Sequence, residues 1–184
     1  MKKKLFILAF IFFVKTATCT AQSVYSCKEG HVSFFSEAPL ENIEAHSRGV
    51  NSFLNIATKE VAFIISIRGF KFQKALMQEH FNEKYMESDK YPNASYKGKI
   101  NEDIDFTKDG TYPVTSTGKM TIHGVEKEIT HTGVLTVKKK EINLKSEFHV
   151  AIKDYNITIP KLLFQNIADT VLVKMEANYI PYQK

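Results

Sequence analysis

Gly118-Lys119-Met120-Thr121-Ile122-His123-Gly124-Val125-Glu126-Lys127-Glu128-Ile129-Thr130 is the stretch that decides how this chain is read. Met120 and Ile122 share one parity, and Lys119, Thr121 and His123 the other. Past the glycine-containing turn, Ile129 resumes the apolar parity and is followed by Gly133, Leu135 and Val137. Side chains two apart lie on one face of a strand, so the segment is expected to be a hairpin with a dry face and a wet one. A dry face this long has to be covered, either by a packed core or around an apolar ligand.

The same alternation recurs along the chain. Residues 59–68 carry Val61, Phe63, Ile65 and Ile67 on one face. Residues 141–153 alternate through Ile142, Leu144, Ser146, Phe148, Val150 and Ile152, and residues 170–180 through Val171, Val173, Met175, Ala177 and Tyr179. Further strands are expected at 31–36, 43–54 (a weaker, polar candidate), 94–106, 112–123 and 127–137. Only residues 73–86 have helical spacing, with Met77, Phe81 and Tyr85 four apart and Leu76 beside them. Ser88, Asp89 and Pro92 end that helix. About eight strands are too many for an open sheet without an aggregating edge, so closure into an antiparallel barrel is expected. Its interior has room for side chains or for one small ligand. The narrow stripe on the helix suits it to cover one end.

The N-terminus reads as a targeting segment. Lys2, Lys3 and Lys4 precede an apolar run from Leu5 to Val14, and Cys19-Thr20-Ala21 is a small-residue cleavage site. Residues 1–21 are therefore expected to be a cleaved signal peptide and residues 22–184 a single domain, placed in the periplasm or secreted. The full chain has 25 basic and 20 acidic residues. Four of the lysines lie in the leader, so the mature net charge falls near +1 and gives no electrostatic case for nucleic acid. Cys19 leaves with the leader and Cys27 stays without an intramolecular partner, expected near a mobile end. No nucleophile motif and no metal-ligand spacing is present, so neither an enzyme nor a cofactor is expected.

Four motifs carry a resemblance to a known family. Residues 118–127 resemble the G-x-L-T-I-H-G-x-x-K hairpin of the YceI-like proteins, exported lipocalin-like barrels that bind polyisoprenoids. Glu79-His80-Phe81, with Tyr85 to Pro92 and Ser95-Tyr96-Lys97-Gly98, is similar to that family's His-Leu … Tyr-Pro … Ser block. Asp154-Tyr155-Asn156-Ile157 and Ala168-Asp169-Thr170-Val171 follow in the family's order. The first third departs: Cys27-Lys28-Glu29-Gly30-His31-Val32-Ser33 stands where an Asp-x-x-His-Ser pattern is usual, and Met77-Gln78 where Arg-Asp is usual. The resemblance implies an extended eight-stranded antiparallel barrel around an apolar channel holding an isoprenoid, a quinone tail or a similar lipid.

Residues expected to line that channel are Phe63, Ile65, Met77, His80, Phe81, Tyr96, Met120, Ile122, Ile129, Leu135, Leu144, Phe148, Val150, Val173 and Met175. Strand parity is the same for a packed core, so a filled barrel acting through surface contacts is the alternative. Gly98, Gly118 and Gly133 share the inward parity and either leave room or permit bending. His80 is a candidate for the ligand's head group or for a packed helix residue; His131 shares the inward parity and is a candidate inward polar group or, the more favoured reading, a satisfied structural histidine; and His123 is expected in solvent. Transient membrane-surface contact and a homodimer stay open as further associations.

Overall fold

The computed structural model describes residues 23–37, 41–159 and 168–182. The expected signal peptide lies outside the described residues. Among the described residues there are ten strands: β1 (Val24–Ser36), β2 (Ile43–Ser47), β3 (Val50–Asn55), β4 (Glu60–Ser66), β5 (Lys71–Phe72), β6 (Asn93–Ile100), β7 (Gly110–Ile122), β8 (Val125–Lys138), β9 (Glu141–Ala151) and β10 (Thr170–Pro181). The single α-helix among the described residues is α1 (Ala75–His80).

Eight of the strands close a barrel in the order β1-β3-β4-β6-β7-β8-β9-β10, with β10 returning to β1, while β2 and β5 extend from β1 as a flap. All pairings are antiparallel. β1 makes the flap possible by changing partners along one edge. Val24–Ser26 pair with β3, and Val32–Ser36 pair with β2. The strand expected at 43–54 is accordingly two strands. They are broken at Arg48-Gly49, where the Gly49 amide donates to Ser47 Oγ at 3.1 Å.

Sequence expectation and structure differ at four further places. β1 starts at Val24 and not near 31, because its first residues find partners in both β3 and β10. Cys27 therefore lies inside a strand opposite Tyr179, half-buried against the core, and burial pushes its thiol pKa up. The strand expected at 94–106 ends at Ile100. Beyond it the chain is held to β7 by the Asn101 amide on the Thr115 carbonyl and by Glu102, which accepts from the Thr115 amide and hydroxyl, each at 2.8 Å. The helix expected over 73–86 is shorter. α1 gives way to a wider turn over Phe81–Tyr85, where the Met86 amide donates to the Phe81 carbonyl five residues back.

The β7–β8 hairpin forms as its alternation predicts, in register from Gly110↔Val137 to Ile122↔Val125. Its turn residues His123 and Gly124 both have positive φ (50° and 74°), as a two-residue turn matched to strand twist requires. His123 is not in solvent, however, and its side chain is only 10% exposed. Nδ1 lies 3.1 Å from the Tyr155 carbonyl, Nε2 lies 2.9 Å from Glu87 Oε2, and the Tyr91 ring meets it edge-on. Parity described the strand correctly; the turn then folded onto the loop after the helix and onto the 3₁₀ turn Ile152–Tyr155.

The β8–β9 ladder stops well short of the ends of its two strands. The β8–β9 register runs from Lys138↔Glu141 to Gly133↔Ser146 and stops. Beyond it, residues 125–132 of β8 and 147–151 of β9 face each other without pairing. Ser146 Oγ donates to the Thr132 carbonyl at 2.6 Å and closes the near edge of this seam. Lys127 and Asp154, 3.1 Å apart, span its far edge.

Candidate binding cavity

The inward faces of the strands make two different interiors. At one end Tyr25, Leu54, Leu135, Val137, Ile142 and Tyr179 are buried against one another. Tyr179 brings its hydroxyl there at no unsatisfied cost, because it lies 2.5 Å from Ser52 Oγ, which in turn donates to the Ala62 carbonyl at 2.7 Å. Burial raises the Tyr179 pKa far above the ordinary phenol value.

At the other end the interior is hollow. A cavity of about 530 Å³ runs beneath α1 and is walled almost wholly by apolar side chains. Of the residues singled out in the sequence, Phe63, Ile65, Met77, His80, Phe81, Tyr96, Met120, Ile122, Leu144, Phe148, Val150, Val173 and Met175 line it. Ile129 and Leu135 do not. Leu135 is fully buried in the filled end, and Ile129 packs against the core at the seam. Both keep the expected parity; only their height along the barrel differs. Sequence reading missed Val32 and Phe34 of β1, Phe70, Phe72 of β5, Val114 and Ser116. Phe34 and Phe72 carry an alternation signal in Val32-Ser33-Phe34 and Phe70-Lys71-Phe72, too short to be given weight.

Aromatic rings fix the helix over the mouth. Phe81 stacks on Phe34 with centroids 5.5 Å apart and meets Phe70 and Phe72 at 5.7 and 5.0 Å. These separations lie in the favourable range for ring pairs. The helix has no side-chain N-cap and no fully buried residue, so this cluster is its main anchorage. At the rim Lys74 pairs with Glu41, Leu76 is 61% exposed, and His80 faces the cavity.

Lower in the cavity a few polar groups interrupt the apolar wall. The Tyr96 ring lies flat over Gly98, where any Cβ would collide with it, and its hydroxyl reaches Ser116 Oγ at 2.7 Å. A Cβ on Gly118 would collide with Gly98 Cα and the Lys97 carbonyl. These two glycines thus allow close approach of a ring and of two backbones, and the hollow owes nothing to them directly. His131 points inward on β8, with Phe148 centred 4.0 Å away and Tyr96 at 5.9 Å. Burial lowers its pKa from the ordinary imidazole value and so favours the neutral ring. Among the described residues, no group of three or more His, Cys, Asp or Glu could hold a metal ion.

A closed antiparallel barrel, solid at one end and hollow under a helix at the other, defines the class: a β-barrel with an apolar internal cavity. Residues 21–179 match the YceI-like domain, and the chain belongs to that family. Its fold is similar to a polyisoprenoid binding domain from Saccharophagus degradans implicated in plant cell wall breakdown (TM-score 0.73, 14% identity, 86% of this chain and 98% of that one). BcnA of Burkholderia cenocepacia is also similar (TM-score 0.68, 14% identity, 81% and 95% covered). So is the YceI protein of Campylobacter jejuni (TM-score 0.53, 16% identity, 99% and 100% covered). No curated protein matches the chain.

Proposed function

We propose that this protein is an exported carrier that holds an isoprenoid or another long-chain lipid in its barrel cavity and acts by binding, not by catalysis. The observation that carries this reading is the cavity itself: about 530 Å³, walled by Phe, Ile, Val, Leu and Met, inside a YceI-like barrel. Each methylene moved from water into such a wall gains about 0.8 kcal/mol, so a long chain is held by area without a dense set of hydrogen bonds. The polyisoprenoid-binding neighbour supports the same ligand class. The apolar leader at residues 1–21, followed by a family match from residue 21, supports export to the periplasm or the medium, with the rest of the chain as one domain.

An adaptor acting through its surface would call for a closed, filled centre, and the hollow half of the barrel weighs against it. Mass spectrometry of an organic extract of the purified protein is the direct test. A prenyl or acyl species at near-equimolar amount is the expected result. Repeated extracts without any such species, together with no displacement of a fluorescent lipid by quinones, prenyl alcohols or fatty acids, overturn the proposal.

A further inference from the structure

Two side-chain atoms among the described residues are buried without a hydrogen-bond partner, Asn82 Oδ1 and His131 Nε2. Of these residues only His131 lines the cavity. A buried nitrogen left unbonded is costly, and native proteins pair nearly all such atoms. The neighbours of His131 do not relieve it. Phe148 and Tyr96 offer ring faces, the Tyr96 hydroxyl is engaged with Ser116 Oγ, and Ser146 Oγ donates to the Thr132 carbonyl. The ring also sits at the seam, past the last β8–β9 rung, where no rung of that ladder braces the wall. The residue itself borders the hollow, so its unpaired nitrogen lies in the cavity wall.

We propose that His131 is the anchor for the polar group of the bound lipid, and that this group is an uncharged oxygen, a hydroxyl or a carbonyl. This rests on the lipid-carrier reading. The chemistry follows from what surrounds the site. A neutral imidazole offers one donor and one acceptor, so it serves a hydroxyl or a carbonyl equally. A phosphate or carboxylate would need a cation, and among the described residues the one lysine on the cavity wall, Lys74, is at the rim and paired with Glu41. The polar group is therefore carried in past the mouth, with Tyr96 and Ser116 beside it.

The test is competition against a fluorescent lipid by three molecules of one skeleton: geranylgeraniol, its phosphate and the hydrocarbon lacking the oxygen. The unaltered protein is expected to bind the alcohol about tenfold more tightly than the hydrocarbon, the worth of one well-made buried hydrogen bond. His131→Leu should bring the alcohol down to the hydrocarbon's affinity and leave the hydrocarbon unchanged, while His131→Gln restores part of the preference. In the unaltered protein, the His131 ring ¹⁵N signals should move with the alcohol and stay still with the hydrocarbon, a readout that needs no variant. An alcohol preference that survives in His131→Leu, tighter binding of the phosphate, or unmoved ¹⁵N signals overturn the assignment. If none of the three displaces the lipid, the carrier reading itself falls, and this inference with it.

Discussion

The two ends of this barrel are built from the same alternating strands, yet one is solid and the other hollow. On β8, Leu135 is fully buried among facing side chains, whereas His131, two positions along the inward face, borders open space. β9 passes from Ile142 in the solid end to Phe148 and Val150 on the cavity wall without any break in its pattern. Alternation fixes which face a side chain takes. Whether that face meets another across the barrel depends on what the opposite wall sends inward at the same height, which is set by pairing register and shear. Stability should therefore be concentrated at one end and binding at the other.

Matched truncations give the largest test of that division. Leu135→Ala in the solid end should cost about 2–5 kcal/mol, as a fully packed leucine does when it leaves a void. Met175→Ala on the cavity wall should cost under about 1.5 kcal/mol, since its side chain already borders space. Urea unfolding of the two variants checks this, and equal losses would mean that the hollow end is as tightly packed as the other.

The helix sharpens the comparison at an intermediate scale. Phe81→Asp should reduce lipid retention about tenfold or more while costing no more than about 2 kcal/mol of stability, because α1 has no fully buried residue and the aromatic cluster at its edge is its main anchorage. Phe148→Asp places a carboxylate in a strand of the closed wall and should lower the thermal midpoint further. Extracted lipid per mole of folded protein, set beside the midpoints, decides it. If Phe81→Asp unfolds as readily as Phe148→Asp, the helix is permanent core and not a cover.

Acid offers a smaller contrast. Burial keeps the His131 pKa below that of the unfolded chain, so as pH drops through about 6.5 the unfolded state takes up a proton that the folded state refuses. Stability is then lost with acidification, and at higher pH this residue contributes nothing. His131→Leu should remove that part of the slope, seen as a shallower fall in midpoint between neutral and acid pH. Smallest of all is Lys119→Ala, which breaks the exposed pair with Glu126 at the wet face of the hairpin and should leave the thermal midpoint where it is.

The sequence made the inward parity of β4, β7, β9 and β10 legible because each is long and faces water on its other side. It could not reveal β5, which is two residues long and exists only because β2 offers it an edge. Nor could it place Leu135 and Ile129 by height, since parity carries no information along the barrel axis. His123 was misread for a related reason: turn residues with positive φ leave the strand's alternation, and their surroundings come from distant segments such as Tyr91 and Tyr155. His131 was legible as inward, but its missing partner was not, because satisfaction of a buried nitrogen depends on every neighbour at once.

The truncated ladder between β8 and β9 has a mechanical consequence. A cylinder hydrogen-bonded around its whole circumference has a fixed girth, because widening it anywhere severs backbone rungs. Here one level of the circumference is completed by rings in contact, His131 on Phe148, and not by rungs. Parting two rings gives up about 0.5–1.5 kcal/mol, far less than breaking a run of backbone bonds with no water to replace them. The wall thus has an expansion joint at the height of the hollow, the place where the barrel gives most easily while the solid end keeps its shape.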